Sequence, residues 1–331
     1  MLTEAQAEGA ALESEPRRIL ALGDVHGDLE ALQAALQLAG LLDAQGHWSG
    51  GESILVQTGD LLDRGDDEPE ILALLSTLQA EAEAVGGRVL LLLGNHELMN
   101  VQNDLRYVTT DGFADYAGHA EQAIESERRV LHPRESSSEV GTRERADANA
   151  GDGKHCPLSM RESERARCLA FRPGGELARR LAESPVIAQV GESVFVHGGL
   201  LEAHLDYGIA RINEETQAYL LGERAEPGEM MSSRQSPLWV RDWGQDQVDC
   251  KALHALLGRL GARRMVIGHT VQAEGINQRC DGALWRIDAG LSAYYGRKLE
   301  LLELVGERAD VLRIEAGGGI DAEVPGGERI P

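Results

Sequence analysis

The sequence is short of positive charge. Its 32 Lys and Arg stand against 55 Asp and Glu, for a formal charge of −23. A nucleic-acid surface needs clustered Lys and Arg to neutralise phosphates, so nucleic acid is not expected as a partner. Long apolar runs are also missing. None reaches the roughly 20 residues that span a bilayer, so no membrane partner is expected. The first 18 residues are rich in Glu and Ala. They lack both the apolar stretch of a signal peptide and the Arg/Ser-rich, acid-poor character of a transit peptide, and a cytoplasmic location is expected. Cysteine is sparse: Cys156, Cys168, Cys250 and Cys280 show no C-x-x-C spacing, which gives no support to a zinc knuckle or a thioredoxin-like pair. Free thiols in a reducing compartment are the expectation, although Cys156 and Cys168 share one irregular region in which a bridge can form. No internal repeat or linker cuts the core, and a monomer is expected.

What is present suffices for one large core or two smaller ones: 331 residues, 42% of them hydrophobic. Three apolar runs read as buried strands, 18–23, 53–58 and 88–93. Each ends in Gly next to a polar residue, and amphipathic helices over 29–38 and about 69–85 join them. Strand, loop and helix in alternation predict a layered α/β sheet, with ligands at the strand ends. Further strands are predicted near 186–190, 193–196, 264–267, 284–287 and 299–304, with a helix over 251–260. Residues 1–17 read as a disordered arm, 18–314 as the folded domain and 315–331 as a flexible tail. Residues 104–176 read as a helical insertion with a mobile loop at 135–154, a stretch almost without large apolar residues. The insertion is a candidate lid or substrate-selecting wall.

Five clusters carry the chemistry: Gly23-Asp24-Val25-His26-Gly27-Asp28, Gly59-Asp60-Leu61-Leu62-Asp63-Arg64-Gly65, Gly94-Asn95-His96-Glu97, His197-Gly198-Gly199 and Gly268-His269. Taken singly, each is an ordinary turn, helix cap or structural histidine. All five fall at strand ends, an improbable coincidence for independent caps. Glycine lets the chain turn and a ligand approach, and Asp, Asn and His supply O and N donors suited to Mn, Fe, Zn or Mg. Two such ions roughly 3.5–4 Å apart clamp phosphate oxygens. Asp28 reads as a helix cap. Trp239 and Trp243 read as core or cleft wall, and Tyr294 and Tyr295 as cleft lining or packing.

The ordered set GDVHGD, GDLLDRG, GNHE, HGG and GH resembles the phosphoprotein phosphatase branch of the calcineurin-like metallophosphoesterases. The longer strings GDLLDRGDDE, GNHELMN, FRPGG, VFVHGGL and PLWVR are similar to those of the Shewanella-like phosphatases of bacteria and plants. The resemblance implies an α/β fold: a metallophosphoesterase β-sandwich of two mixed sheets flanked by helices, with the insertion added. It implies two divalent metal ions, Mn²⁺ in vitro with Fe or Zn as alternatives. Asp24 and His26 would hold the first, Asp60 would bridge, and Asn95, His197 and His269 would complete the second. His96 would be the proton donor to the leaving group, oriented by Asp63, and Arg64 and Arg241 would grip the phosphate. A hydroxide bridging the metals would attack in line. The substrate implied is a phosphorylated protein or peptide, with phosphotyrosine favoured over phosphoserine and phosphothreonine. Leu93 stands where many eukaryotic Ser/Thr phosphatases carry Arg, and their SAPNYC string is absent, so the resemblance does not extend to that group. Asp63 favours a monoesterase over a diadenosine polyphosphate hydrolase, the second reading. A metal-loaded, non-catalytic phosphopeptide-binding module is the third, and the intact His96 and Asp63 argue against it.

Overall fold

The computed structural model describes residues 17–116, 155–157, 159–314 and 320–323. The 135–154 loop and the arm before residue 17 lie outside the described residues. Two mixed sheets pack face to face. In the first, β1 (Arg18–Leu22), β2 (Ile54–Gln57) and β3 (Arg88–Leu91) are parallel, and β9 (Glu300–Val305), β10 (Arg308–Ile314) and β11 (Ile320–Glu323) extend the sheet antiparallel beyond β1. The tail expected to be flexible from 315 therefore contains a paired strand. In the second, β5 (Ser193–Val196), β6 (Arg264–Ile267) and β8 (Leu284–Arg286) are parallel, flanked by antiparallel β4 (Ile187–Val190) and β7 (Asn277–Arg279). The sandwich of mixed sheets is the architecture the resemblance implies.

The central strands are buried on both faces, which is why they read as unbroken apolar runs. Their side chains alternate between two cores. Ala21, Val56, Leu90, Phe195, Val266 and Leu302 fill the space between the sheets. Their neighbours Leu20, Leu22, Leu55, Val89, Val194, Val196, Met265, Ile267 and Leu301 face the helices.

Helix α1 (Leu29–Leu38) begins at Asp28, whose side chain accepts the Ala31 N–H, the capping role its position suggests. Helix α2 (Glu68–Ala84) has Pro in its first turn and stops before Gly86-Gly87. A short α3 (Asn95–Val101) starts directly at the Gly94-Asn95 motif. Of the insertion, the described residues form α4 (Thr110–Ala114) and α5 (Glu162–Phe171), the latter packed on α3 and on α6 (Glu176–Leu181). Helices α7 (Glu202–Tyr207) and α8 (Ile209–Leu220) precede α9 (Cys250–Leu260), which is capped by the Asp249 side chain and stopped by Gly261 in the left-handed conformation.

The free-thiol expectation is overturned. Cys156 is bonded to Cys168, Cys250 to Cys280, and no free cysteine is left. Residues distant in sequence meet here because helix packing brings α9 against the β7–β8 hairpin, a juxtaposition that spacing does not reveal. The expectation of a reducing, cytoplasmic compartment loses its ground with it. Among the described residues, no helix is long and apolar enough to cross a membrane.

Candidate metal centre

The parallel strands of both sheets end at the same side of the sandwich. β1 delivers Asp24 and His26, β2 Asp60 and Asp63, β3 Asn95 and His96, β5 His197 and β6 His269. Eight of the ten sequence-predicted residues line one cavity of about 90 Å³: Asp24, His26, Asp60, Arg64, Asn95, His96, Arg241 and His269. The other two stand directly behind it. His197 is buried against Asp60 and Asn95, and Asp63 is buried against His96.

The backbone is bent to make this possible. His26, Asp60, Asp63, Arg64 and His269 all have φ between +49° and +71°, five of the nine described non-glycine residues with positive φ. Each such residue costs on the order of 1–3 kcal/mol unless its surroundings hold it. Glu97, to which the sequence reading gave no role, does much of the holding. Its Oε1 accepts the N–H groups of Leu61 and Leu62, and its Oε2 those of Asp60 and Gly94. Burial and the neighbouring Asp60 push its carboxyl up to about 7, while the Asp60 and Gly94 N–H groups pull it down. A side chain on Gly27 would meet the Gly65 backbone at 2.6 Å, so the first and second clusters touch only because both are glycine there.

The donor atoms are aimed for a cation. His26 Nδ1 lies 3.1 Å from the Leu62 carbonyl and His197 Nδ1 2.9 Å from that of Thr58. Each carbonyl can only accept, so each ring carries a proton on Nδ1 and turns Nε2 inward. His197 Nε2 faces Asn95 Oδ1 at 2.9 Å and Asp60 Oδ2 at 3.1 Å, so three potential donor atoms for a cation converge. His26 Nε2 is 3.9 Å from both Asp24 Oδ2 and Asp60 Oδ2. Buried His269 Nε2 has no hydrogen-bond partner. Burial lowers His26 to about 4, and burial with His197 lowers His269 to about 2, so both are neutral and fit to donate a lone pair. A positive ion reconciles these atoms, and the donor set fits divalent transition metals.

Two triplets of donor atoms lie within 4.8 Å of one another, His26/Asp60/His96 and Asp60/His197/His269. They share Asp60, the residue given the bridging role. The first contains His96 where the sequence reading puts Asp24, because both Asp24 oxygens face the His269 N–H, at 3.1 and 3.2 Å. Asp24 is raised well above the carboxylate range, first by burial and then by Asp288. Asp288, itself buried and raised to about 6 by burial, is absent from the residues the sequence singles out, although it follows β8 as the candidate ligands follow their strands.

His96 Nδ1 is 2.5 Å from Asp63 Oδ2. Burial works to lower its pKa, but Asp60 and Asp63 prevail and hold it above the ordinary value. Asp63 is fixed in turn: its other oxygen meets Asn100 Nδ2 at 3.0 Å and Arg167 Nη2 at 3.4 Å. Arg167, on α5 and fully buried, also donates to Glu68, Asn100 and the Gly112 carbonyl. The insertion is thus wired to His96 through one guanidinium.

Both arginines line the cavity, held by different partners. Arg64 donates to the Tyr294 hydroxyl at 3.0 Å and lies 4.0 Å over the Tyr107 ring. Arg241 donates to the His269 carbonyl and the Thr270 hydroxyl, at 3.1 and 3.3 Å. The chain has six Tyr and four Trp. Tyr107, Tyr295 and Trp239 line the cavity, and Tyr294 stands beside Arg64, 60% exposed.

Residues 17–273 match the family model described as calcineurin-like phosphoesterase. The chain is 40% identical to Shewanella-like protein phosphatase 2 of Arabidopsis thaliana, over 84% of this chain and 72% of that protein. It is 28% identical to Shewanella-like protein phosphatase 1 of Plasmodium berghei, over 85% and 69%. Among solved structures, the fold is similar to that of a cold-active protein-tyrosine phosphatase of a psychrophilic Shewanella. The TM-score is 0.65 at 22% identity, covering 93% of this chain and 80% of that one.

Proposed function

The chain belongs to the calcineurin-like phosphoesterase family and is a protein phosphatase of its Shewanella-like branch, and on that premise we propose that it is a two-metal phosphomonoesterase favouring phosphotyrosine. The observation that carries the reading is the pair of donor triplets sharing Asp60, set beneath two arginines and beside the His96–Asp63 pair. Asp24, His26 and Asp60 would hold one metal ion, and Asp60, Asn95, His197 and His269 the other. When bound, the ions withdraw charge from the phosphoryl group and make water nucleophilic at neutral pH; manganese is the ion proposed for activity in vitro. The chain's own residues do the rest. Arg64 and Arg241 bind non-bridging phosphate oxygens, to which the guanidinium fork is matched. His96, with Nδ1 on Asp63, presents Nε2–H to the leaving oxygen and gives up its proton as the ester bond breaks.

Phosphotyrosine is favoured by the rim. Tyr107, Tyr295, Trp239 and exposed Tyr294 offer faces and edges for a phenyl ring, an interaction that an alkyl phosphoester lacks. With Mn²⁺, a phosphotyrosine peptide should turn over faster than matched phosphoserine and phosphothreonine peptides and faster than diadenosine tetraphosphate. Asp60→Asn should abolish all of it. A faster rate on the dinucleotide would replace the monoesterase reading, and full activity of Asp60→Asn would remove the shared ligand.

A further inference from the structure

A second cavity, of about 420 Å³, lies at the opposite end of β6 from the metal centre. The strand starts at Arg264 in the cavity wall and delivers His269 to the site. At ~3.3 Å per residue the two positions are about 16 Å apart. His254, Arg263, Gln278 and Trp285 complete the part of the wall that matters here.

We propose that this cavity binds a small organic anion through its oxyanion group, a phosphate or a carboxylate, with Arg264 as the central contact. Arg264 is 2% exposed. Its Nη2 donates to the carbonyls of Gly306 and Glu307, at 3.0 and 3.3 Å. Its Nε and Nη1 have no hydrogen-bond partner. A buried donor left unpaired costs about 1–3 kcal/mol, and more when charged, so an arrangement of this kind needs a reason. The acidic groups nearby do not supply it. Glu307 and Glu192 are both engaged by Arg263, and Asp281 at the rim is exposed to solvent. Burial and the adjacent Arg263 lower Arg264 from its ordinary value, outweighing the pull of Glu192 and Glu307 in the other direction. Two arginines, His254 and the Gln278 side chain meeting in one cavity are out of character for a chain of net charge −23. The guanidinium fork matches phosphate and carboxylate alike. The volume falls within the roughly 300–1,000 Å³ of small-molecule sites, and the faces of Trp285, Ala283 and Ala309 give the body of the ligand an apolar wall.

Two tryptophans separate this site from the catalytic one. Trp285 lines the Arg264 cavity and Trp239 the metal-site cavity. The full chain, loaded with diamagnetic zinc and ¹⁵N-labelled at tryptophan, is titrated with inorganic phosphate and, separately, with succinate, following both indole N–H signals. Saturable movement of the Trp285 signal by either anion is expected, and the anion that moves it identifies the head group. Arg264→Met should weaken that response about tenfold or more and leave the Trp239 response to phosphate in place. Where Arg264→Met fails to fold, Arg263→Gln, at a half-exposed side chain, serves as the second variant and should weaken the same response. A Trp285 signal that neither anion moves at concentrations saturating Trp239 would overturn the proposal. So would an unchanged response in whichever variant folds.

Discussion

Asp60 and Asp63 are three residues apart, and both are buried with positive φ, yet they serve different ends. Asp60 faces His197 Nε2 and belongs to both donor triplets, whereas Asp63 faces His96 Nδ1 and no other donor of the triplets within salt-bridge distance. Asn at position 63 keeps the shape but loses the charge that favours a protonated His96. Asp63→Asn should therefore lower kcat about 10²–10⁴-fold while the bound metal, measured by elemental analysis, stays the same. A parallel loss of metal would make Asp63 part of the metal shell. Arg167 acts one step further back. Arg167→Met strands the Glu68 and Asp63 carboxylates in the interior, and breaking a buried pair in this way costs about 3–5 kcal/mol in urea unfolding. It should also lower kcat about tenfold to a hundredfold at saturating Mn²⁺, with Arg167→Lys recovering part of it. A stability loss with unchanged kcat would leave Arg167 a purely structural residue. The proposed ligand residues are legible in the sequence because each sits beside a glycine where an apolar run stops. Arg167 is not, because it meets Glu68 across 99 residues of sequence and Asp63 across 104, with no local pattern to announce it. Asp288 also follows a strand, but its neighbours are Ile287 and Ala289, so the adjacent glycine that marks the others is missing.

At the level of elements, apolar periodicity gave strands and helices where both faces or one stripe were buried. Helix α1 and strands β5 and β6 fall at the expected residues. Helix α8, whose stripe buries Ile212, Tyr219 and Leu220, and strand β10 are not among the expected elements, and others carry no such signature. β7 is only half-buried, and α7 is a short polar segment. β11 sits in a Gly- and Pro-rich tail and is specified by pairing with β10. The disulfides belong to this scale as well. Cys250–Cys280 spans 30 residues and ties the start of α9 to the turn between β7 and β8. Closing a loop of that length removes about 3–4 kcal/mol of freedom from the unfolded chain. Replacing both cysteines by serine should lower unfolding free energy by about 2–4 kcal/mol in urea, with Mn²⁺-dependent activity at low temperature retained. Equal stability of the double variant would mean that packing of α9 alone fixes the junction.

On the scale of the whole molecule, the metal centre is a place where carboxyl groups crowd together. Asp24, Asp60, Glu97 and Asp288 are all buried around it, and the largest upward influence on Asp24 after burial is another carboxylate, Asp288. Ions that bind only the folded chain relieve this repulsion and stabilise by mass action, about 2.7 kcal/mol when free metal is a hundredfold above its Kd. Mn²⁺ should raise the Tm of chelator-stripped protein in a concentration-dependent way, and Asp60→Asn should flatten the response. A Tm indifferent to metal would contradict the shared-ligand arrangement.

The meeting of two sheets at one end has a consequence for biosynthesis. Asp24 and the His269 backbone it contacts are 245 residues apart. At ~5–20 residues per second, translation separates them by roughly 12–50 s. Through that interval the first sheet's Asp and His side chains have emerged without His269 of the second sheet to complete the shared geometry. On the proposed ligand assignment, only the ion that needs His197 and His269 must wait for β6, so a chain that stops before residue 269 should not load the complete pair.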